Sequence, residues 1–314
     1  MVLVPLTYTA PVHDGFVNTP RVAPGAAGES SAMSHLLSST TWIEMRHVDL
    51  RVTPTAVLHV RRLHGQVIGA QPFLDDTKSF SIRVTSGSVA LSGDELSILL
   101  NTFVFAYPGS PLKRLHVRVA GSQIVQTGVI HKLIDLPFEM TASLSLTPKG
   151  LVCIHPTRMH MLGINGGTLL HALGLHLDNM LDLRKSHGAS VHGDDLYLDP
   201  TALLPPPAII GRLASIRIEG QNIVQDFVRL SDDTMFERVI RPDSTVPNFV
   251  YFRGGQLRFG KLLMRDTDLL IVDGDPRDPF DLYLARYSRQ LIAGTSRTLE
   301  GLGLRVVMPD YHNL

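Results

Sequence analysis

The pattern between residues 139 and 147 restricts the fold of this chain more than any other feature. Apolar and polar side chains alternate without a break from Glu139 to Thr147. A period of two with one apolar side is typical of an antiparallel strand that has one buried and one solvated face. We therefore expect Leu144 and Leu146 on the buried face and Ser145 on the solvated face.

A turn, a second strand and an apolar helix are predicted next. Pro148 and Gly150 are typical turn residues, and Leu151–His155 predicts the returning strand. A sheet with one apolar face needs a cover, which a helix from about Leu169 to Leu183 would supply. The apolar residues of this predicted helix include Leu169, Leu170, Leu173, Leu177, Met180 and Leu181.

The same order of strand and helix occurs earlier in the chain. A strand predicted from Phe80 to Leu91 changes the phase of its alternation at residues 86–88, which indicates a β-bulge. Ser92 and Glu95 have the spacing of a capping box at a helix start. The apolar residues of the helix that follows are Leu96, Leu99, Leu100 and Phe103.

These patterns predict an α+β fold, in which a long, strongly curved antiparallel sheet is rolled around two apolar helices. Residues 1–40 are rich in Pro, Gly, Ala and Ser, which is typical of a flexible N-terminal arm. We expect residues 41–230 to form the rolled sheet and helix domain. Residues 231–314 would add C-terminal strands to the same domain.

The composition argues against several classes of protein. Lys+Arg and Asp+Glu are equal at 29 each, so no net charge favours nucleic acid or an anionic surface. Hydrophobic residues make up 44% and aromatic residues 6%, so the apolar part is mainly aliphatic. No apolar run approaches the roughly 20 residues of a membrane-spanning helix, and the N-terminus is a poor signal peptide. We expect a soluble protein and leave its compartment open, with the cell envelope as one option if the native start had been trimmed.

Motifs that suggest catalysis or metal binding are incomplete. Gly255–Lys261 matches a phosphate-binding loop, but Leu262 stands where Ser or Thr would ligate Mg²⁺, and the alternation predicts a strand. Cys153 is the single cysteine and is expected in the core. Turn chemistry accounts for Asp266, Asp268, Asp273, Asp275 and Asp278, because the loop glycine and terminal Glu of an EF-hand are missing. A less favoured zinc site would combine His171, His187, His192, Asp194 and Asp195. We predict no enzyme activity, no cofactor and no metal.

The order of elements over Phe80–Phe103 and Thr141–Leu183 resembles a bacterial member of the tubular lipid-binding (TULIP) superfamily. That superfamily includes the bactericidal/permeability-increasing protein, in which a twisted sheet wraps a long helix and encloses acyl chains. The resemblance is one of topology and covers roughly Trp42–Phe227. It implies an aliphatic cavity and no catalytic residues.

The leading hypothesis is non-enzymatic binding or transport of lipids or other long apolar ligands in such a cavity. We expect a lipid or fatty-acid-like ligand as partner, transient membrane contact and no nucleic acid. Two alternatives stay open, a scaffold or assembly protein with a filled core and a metal-dependent hydrolase. The predicted lipid-binding residues are Leu96, Leu99, Leu100, Phe103, Leu169, Leu170, Leu173, Leu177, Met180 and Leu181.

Overall fold

The computed structural model is built mainly from antiparallel strands, and one of its two sheets is curled into a half-barrel. The structure therefore contains more strand than the predicted α+β fold. The helices in the described residues are short. The structure describes residues 39–131, 134–161, 176–233, 245–299 and 303–314. The predicted arm therefore lies outside the described residues, apart from its last two positions.

The large sheet contains eleven strands within the described residues. Its main path runs in the order β11-β12-β3-β2-β1-β13-β14-β17-β16, with β10 beside β3 and β15 beside β1. The pairs β3–β10, β1–β15 and β14–β17 are parallel. The strands are β1 (Thr41–Arg51), β2 (Val57–Ile68), β3 (Ser81–Ser92), β10 (Ala208–Ile210), β11 (Leu213–Glu219), β12 (Asn222–Phe227), β13 (Phe249–Phe259), β14 (Leu262–Asp273), β15 (Phe280–Leu282), β16 (Thr295–Thr298) and β17 (Leu304–Met308).

The small sheet contains six strands, in the order β4-β5-β6-β7-β9-β8. Its first four strands form an antiparallel meander. The strands are β4 (Leu112–Ala120), β5 (Gln123–His131), β6 (Asp135–Leu146), β7 (Val152–Met161), β8 (Ala189–His192) and β9 (Asp195–Leu198).

The alternation in β6 has the predicted register. Met140 and Ala142 are buried, whereas Glu139 and Ser145 are exposed. Leu144 and Leu146 are half-buried and pack against the main apolar core. That core contains side chains from both sheets, so the buried face of the small sheet is joined to the large one.

The first predicted helix is present, but it is short. The helix α1 (Gly93–Leu99) continues as one π-helical stretch, Leu100–Val104. Its capping box is complete, since Glu95 N–H donates to Ser92 Oγ at 3.2 Å and Ser92 N–H donates to Glu95 Oε2 at 2.7 Å. The predicted bulge is also found near its expected place, between the pairs His64–Ser86 and Gly65–Val84.

The second predicted helix is wrong as a continuous element. His176 has extended backbone angles, φ −94° and ψ 152°, so no helix can run unbroken from Leu169 to Leu183. The described part contains only the four-residue helix α2 (Leu177–Met180), and Leu181 is again extended. The leucine spacing is compatible with a helix, but it does not reveal where the backbone changes direction. The other helices whose bounds lie within the described residues are α3 (Tyr287–Ala293) and the 3₁₀ turns Leu284–Arg286 and Tyr311–Asn313.

A buried polar cluster lies on the outer face of the large sheet. Glu44 alternates with the inward-facing Ile43 and Met45, and therefore points to the opposite side of β1. His64 Nδ1 lies 2.9 Å from Asp233 Oδ1, and its Nε2 lies 3.4 Å from Glu44 Oε1. These three residues connect the chain that follows β12 to strands β1 and β2.

Candidate functional site

The inner face of the first three strands lines an apolar cavity of about 110 Å³. The period of two in these strands directs every second side chain inward, and most of those side chains are aliphatic. The residues supplied by this part of the chain include Met45, Leu50, Val52, Leu58, Val60, Leu63, Ile82, Val89 and Leu91.

A proline-rich segment, residues 200–209, forms a second wall, which we call the proline cover. Ile209 at its end belongs to β10 and pairs with Ile82 of β3, which fixes that end beside the cavity. The three consecutive prolines cannot donate backbone hydrogen bonds. The lining residues of the proline cover are Pro200, Thr201, Leu203, Leu204, Pro205, Pro206, Pro207 and Ile209.

Helix α1 contributes Leu96 and Leu99 to the cavity. Its first turn is tied to the large sheet by His59, whose Nδ1 lies 2.8 Å from Asp49 Oδ1 and whose Nε2 lies 3.3 Å from Glu95 Oε1. The hydrogen bond to Asp49, followed by that to Glu95, raises the pKa of His59 to about 10. A protonated His59 therefore fixes the start of the helix that carries two lining leucines.

A smaller apolar cavity of about 20 Å³ lies next to the first. The two cavities share Met45, Leu50, Ile82 and Leu284 as lining residues. Met45 is unbranched and flexible, so the wall between the two spaces contains a side chain that can change its rotamer. Two adjacent apolar cavities therefore lie under the large sheet.

Arg51 is the single charged side chain among the described residues that line the larger cavity. Its guanidinium is neutralised by a bidentate pair with Asp281, with Nε–Oδ1 and Nη2–Oδ2 distances of 2.6 and 2.7 Å. The hydrogen bonds that Arg51 donates to Asp281 raise the pKa of Arg51. Burial alone would raise the pKa of Asp281, but hydrogen bonds from Arg51 and His312 lower it overall. The cavity wall is therefore mainly aliphatic, with Thr201, Gln225 and Phe227 as its other members and with the charge of Arg51 compensated.

The chain was compared with known protein families, curated proteins and solved structures. It matches none of them. In the part of the chain that the structure describes, no helix is long and apolar enough to cross a membrane.

The predicted lipid-binding residues separate into three groups. Leu96 and Leu99 line the cavity. Leu100, Leu177 and Leu181 are buried in the core and Phe103 packs against it, but none of these four is among the lining residues of the larger cavity. The other predicted residues are Leu169, Leu170 and Leu173, which lie outside the described residues, and Met180, of which only the backbone is described.

The prediction missed the strand residues and the proline cover. The alternation of Leu58, Val60, Ile82 and Val89 was visible in the sequence, but it marks a buried face without showing whether that face is filled. The three prolines indicate a break in regular structure rather than a cavity wall. The missing information was which distant segment lies over which face.

The two aspartates named as zinc candidates have local structural roles. Asp194 accepts a hydrogen bond from Leu177 N–H at 3.0 Å and holds His176 Nδ1 at 3.3 Å. Asp195 lies 2.6 Å from His155 Nδ1. His192 is exposed, and His171 lies outside the described residues.

The remaining motifs behave as turn, strand and core residues. The phosphate-loop look-alike lies in the β13–β14 hairpin, whose turn includes Gly260 with φ +56°. Cys153 is buried, and burial raises the pKa of its thiol. Ser86 Oγ donates a hydrogen bond to Asp233 at 2.7 Å, and His64 Nδ1 lies 2.9 Å from the same carboxylate, so Ser86 belongs to the buried polar cluster.

Three possible metal ligands, Asp278, Asp310 and His312, lie close to the Arg51–Asp281 pair, and we call this region the charged corner. Ligand atoms of Asp278, Asp310 and His312 all lie within 4.8 Å of one another. Asp310 is 1% exposed, and burial raises the pKa of its carboxyl to about 6. Asp278 was assigned to a turn by the sequence, and no local pattern connects it with the two residues near the C-terminus.

Proposed function

We propose that this protein binds the acyl chain of a lipid, or a similar long apolar molecule, between the large sheet and the proline cover. The observation that supports the proposal is the aliphatic cavity with its compensated charge. An aliphatic wall favours hydrocarbon because each buried methylene contributes about 0.8 kcal/mol, without requiring fixed hydrogen-bond geometry. The resemblance to tubular lipid-binding proteins stays a prediction and does not support this proposal, because one of the two helices on which it rests is interrupted at His176.

The volume of the cavity limits the length of hydrocarbon that it can hold. An apolar cavity of about 150 Å³ holds a molecule the size of benzene, so the larger cavity, at about 110 Å³, accommodates only a hydrocarbon segment smaller than benzene as it stands. A longer chain requires movement of Met45 and entry into the adjacent space lined by Phe80 and Phe252. Displacement of the proline cover would provide access. The competing proposal is a scaffold protein whose core stays filled.

A substitution that fills the cavity separates the two proposals. Val89 lines the cavity in β3, and Val89→Phe would occupy the space that the ligand needs. We expect at least about tenfold weaker binding of a fluorescent fatty acid, with thermal stability close to that of the original chain. The binding titration should use delipidated protein, and thermal unfolding should be followed in parallel.

Val306→Phe provides a matched control. Val306 is fully buried in β17, at the other end of the large sheet, and does not line the cavity. Overpacking there should cost about 1–3 kcal/mol of stability while fatty-acid affinity is retained. Ligand binding in this cavity is excluded if the original protein shows no saturable uptake of the fatty acid. It is also excluded if Val89→Phe binds the fatty acid as tightly as the original protein does.

A further inference from the structure

The loop between β14 and β15 meets the end of the chain at a mixed carboxylate and imidazole cluster. Asp278 belongs to the loop, while Asp310 and His312 follow β17. Each residue offers one ligand atom, and these atoms lie within 4.8 Å of one another. Three ligands from two separate segments thus converge on one point.

Two buried amide side chains hold these segments in place. Gln290 Nε2 donates to Asp281 O and to Pro309 O, both at 2.9 Å. Asn248 donates to the backbone carbonyl of Asp278 and to Asp273 Oδ2. The backbone segments that carry the three ligands are therefore held by buried side chains, while the side chains of Asp278 and His312 themselves are exposed.

His312 is oriented from outside the cluster. Its Nδ1 lies 2.8 Å from Asp281 Oδ2, and Asp281 is itself held by the bidentate pair with Arg51. No partner of His312 Nε2 occurs among the described residues. A metal-binding histidine usually has this arrangement, with one ring nitrogen on a carboxylate and the other on the ion.

The corner also carries an excess of buried negative charge. Asp273, Asp281 and Asp310 are all buried. Arg51 pairs with Asp281, whereas neither Asp273 nor Asp310 has a Lys or Arg partner within the described ranges. Buried carboxylates are normally paired or coordinate a metal.

We propose that Asp278, Asp310 and His312 bind a divalent transition-metal ion, with water completing its coordination. One imidazole and two carboxylates suit Zn²⁺ or Mn²⁺ better than Ca²⁺, which takes six to eight oxygen ligands. The bound ion connects the β14–β15 loop to the C-terminal segment. The site is independent of whether the cavity binds a lipid.

Calorimetric titration of untagged, chelator-treated protein tests the site. Zn²⁺ should bind one ion per chain, more tightly than Mn²⁺, and Ca²⁺ should bind most weakly. Bound Zn²⁺ should also raise the midpoint of thermal unfolding, because it stabilises the folded state alone. Asp278→Asn and His312→Gln alter exposed side chains, so both variants should fold. Each should weaken Zn²⁺ binding by at least about tenfold.

Asp275→Asn is the matched control. Asp275 lies in the same loop and loses the same charge, but its carboxylate is held by Arg277. This variant should bind Zn²⁺ within about twofold of the original protein. The proposal is wrong if the original protein binds no stoichiometric Zn²⁺, if Asp278→Asn and His312→Gln bind it unchanged, or if Asp275→Asn loses binding to the same extent.

Discussion

Arg51 is the residue that connects the cavity with the charged corner. It lines the cavity and forms the bidentate pair with Asp281, which also holds His312. The pair removes a free charge from the cavity wall and orients an imidazole at the same time. A substitution of Arg51 would disturb both places, so Val89 and Asp278 are the better positions for testing them separately.

His59 gives the clearest expected dependence of stability on pH. Its pKa in the folded protein is about 10, above the ordinary value of 6.5. Its contribution is therefore complete below pH 6.5 and is lost as the pH rises towards 10. Because His59 is partly exposed, solvent screening limits the effect to about 0.5–1 kcal/mol.

Urea unfolding of the original protein and His59→Gln over this pH range measures the effect. The difference in unfolding free energy should be largest at pH 6 and should shrink towards pH 10. A difference that stays constant across the range would show that the histidine acts through packing alone.

At the level of elements, local sequence signals were sufficient to predict some parts of the fold. The register of β6 follows from strict alternation, and the start of α1 follows from Ser92 and Glu95. Both are determined by neighbouring residues. The break at His176 interrupts an apolar pattern that is compatible with a helix, so spacing alone could not reveal it.

The cavity and the charged corner could not be predicted from local patterns, because both are formed by contacts between distant segments. The proline cover is held beside β3 by the parallel pairing of Ile209 with Ile82. Asp278 and Asp310 likewise meet only through long-range pairing, since β15 pairs with β1 and β17 pairs with β14. Such pairings leave no periodic pattern in the sequence, so only the two α1 leucines of the cavity could be assigned in advance.

The segment after β12 should depend on Asp233 for its attachment to the sheet. Asp233 is 0% exposed and accepts hydrogen bonds from Ser86 and Thr85 at 2.7 and 3.1 Å. Asp233→Ala would leave these groups and His64 without their acceptor. We expect a loss of about 3–5 kcal/mol in the free energy of urea unfolding.

Asp232→Ala is the appropriate control for this prediction. Asp232 is the preceding residue, and its side chain is 41% exposed. Its removal should change the unfolding free energy by less than about 0.5 kcal/mol. Equal losses in the two variants would contradict an anchoring role for Asp233.

At the level of the whole molecule, two sheets share one aliphatic core that is not completely filled. The larger cavity and its smaller neighbour lie in a row under the large sheet, separated by side chains that include Met45 and Leu284. A ligand that occupies both spaces must move this partition. Affinity should therefore increase with chain length until the available space is filled.

Native mass spectrometry with saturated fatty acids of increasing length tests this central claim most directly. Delipidated protein should form a one-to-one complex, and each added methylene should strengthen it by up to about 0.8 kcal/mol before the gain stops. The Val89→Phe variant should show a weaker complex throughout. A complex that is absent, or one whose affinity does not change with chain length, would contradict the proposed apolar binding site.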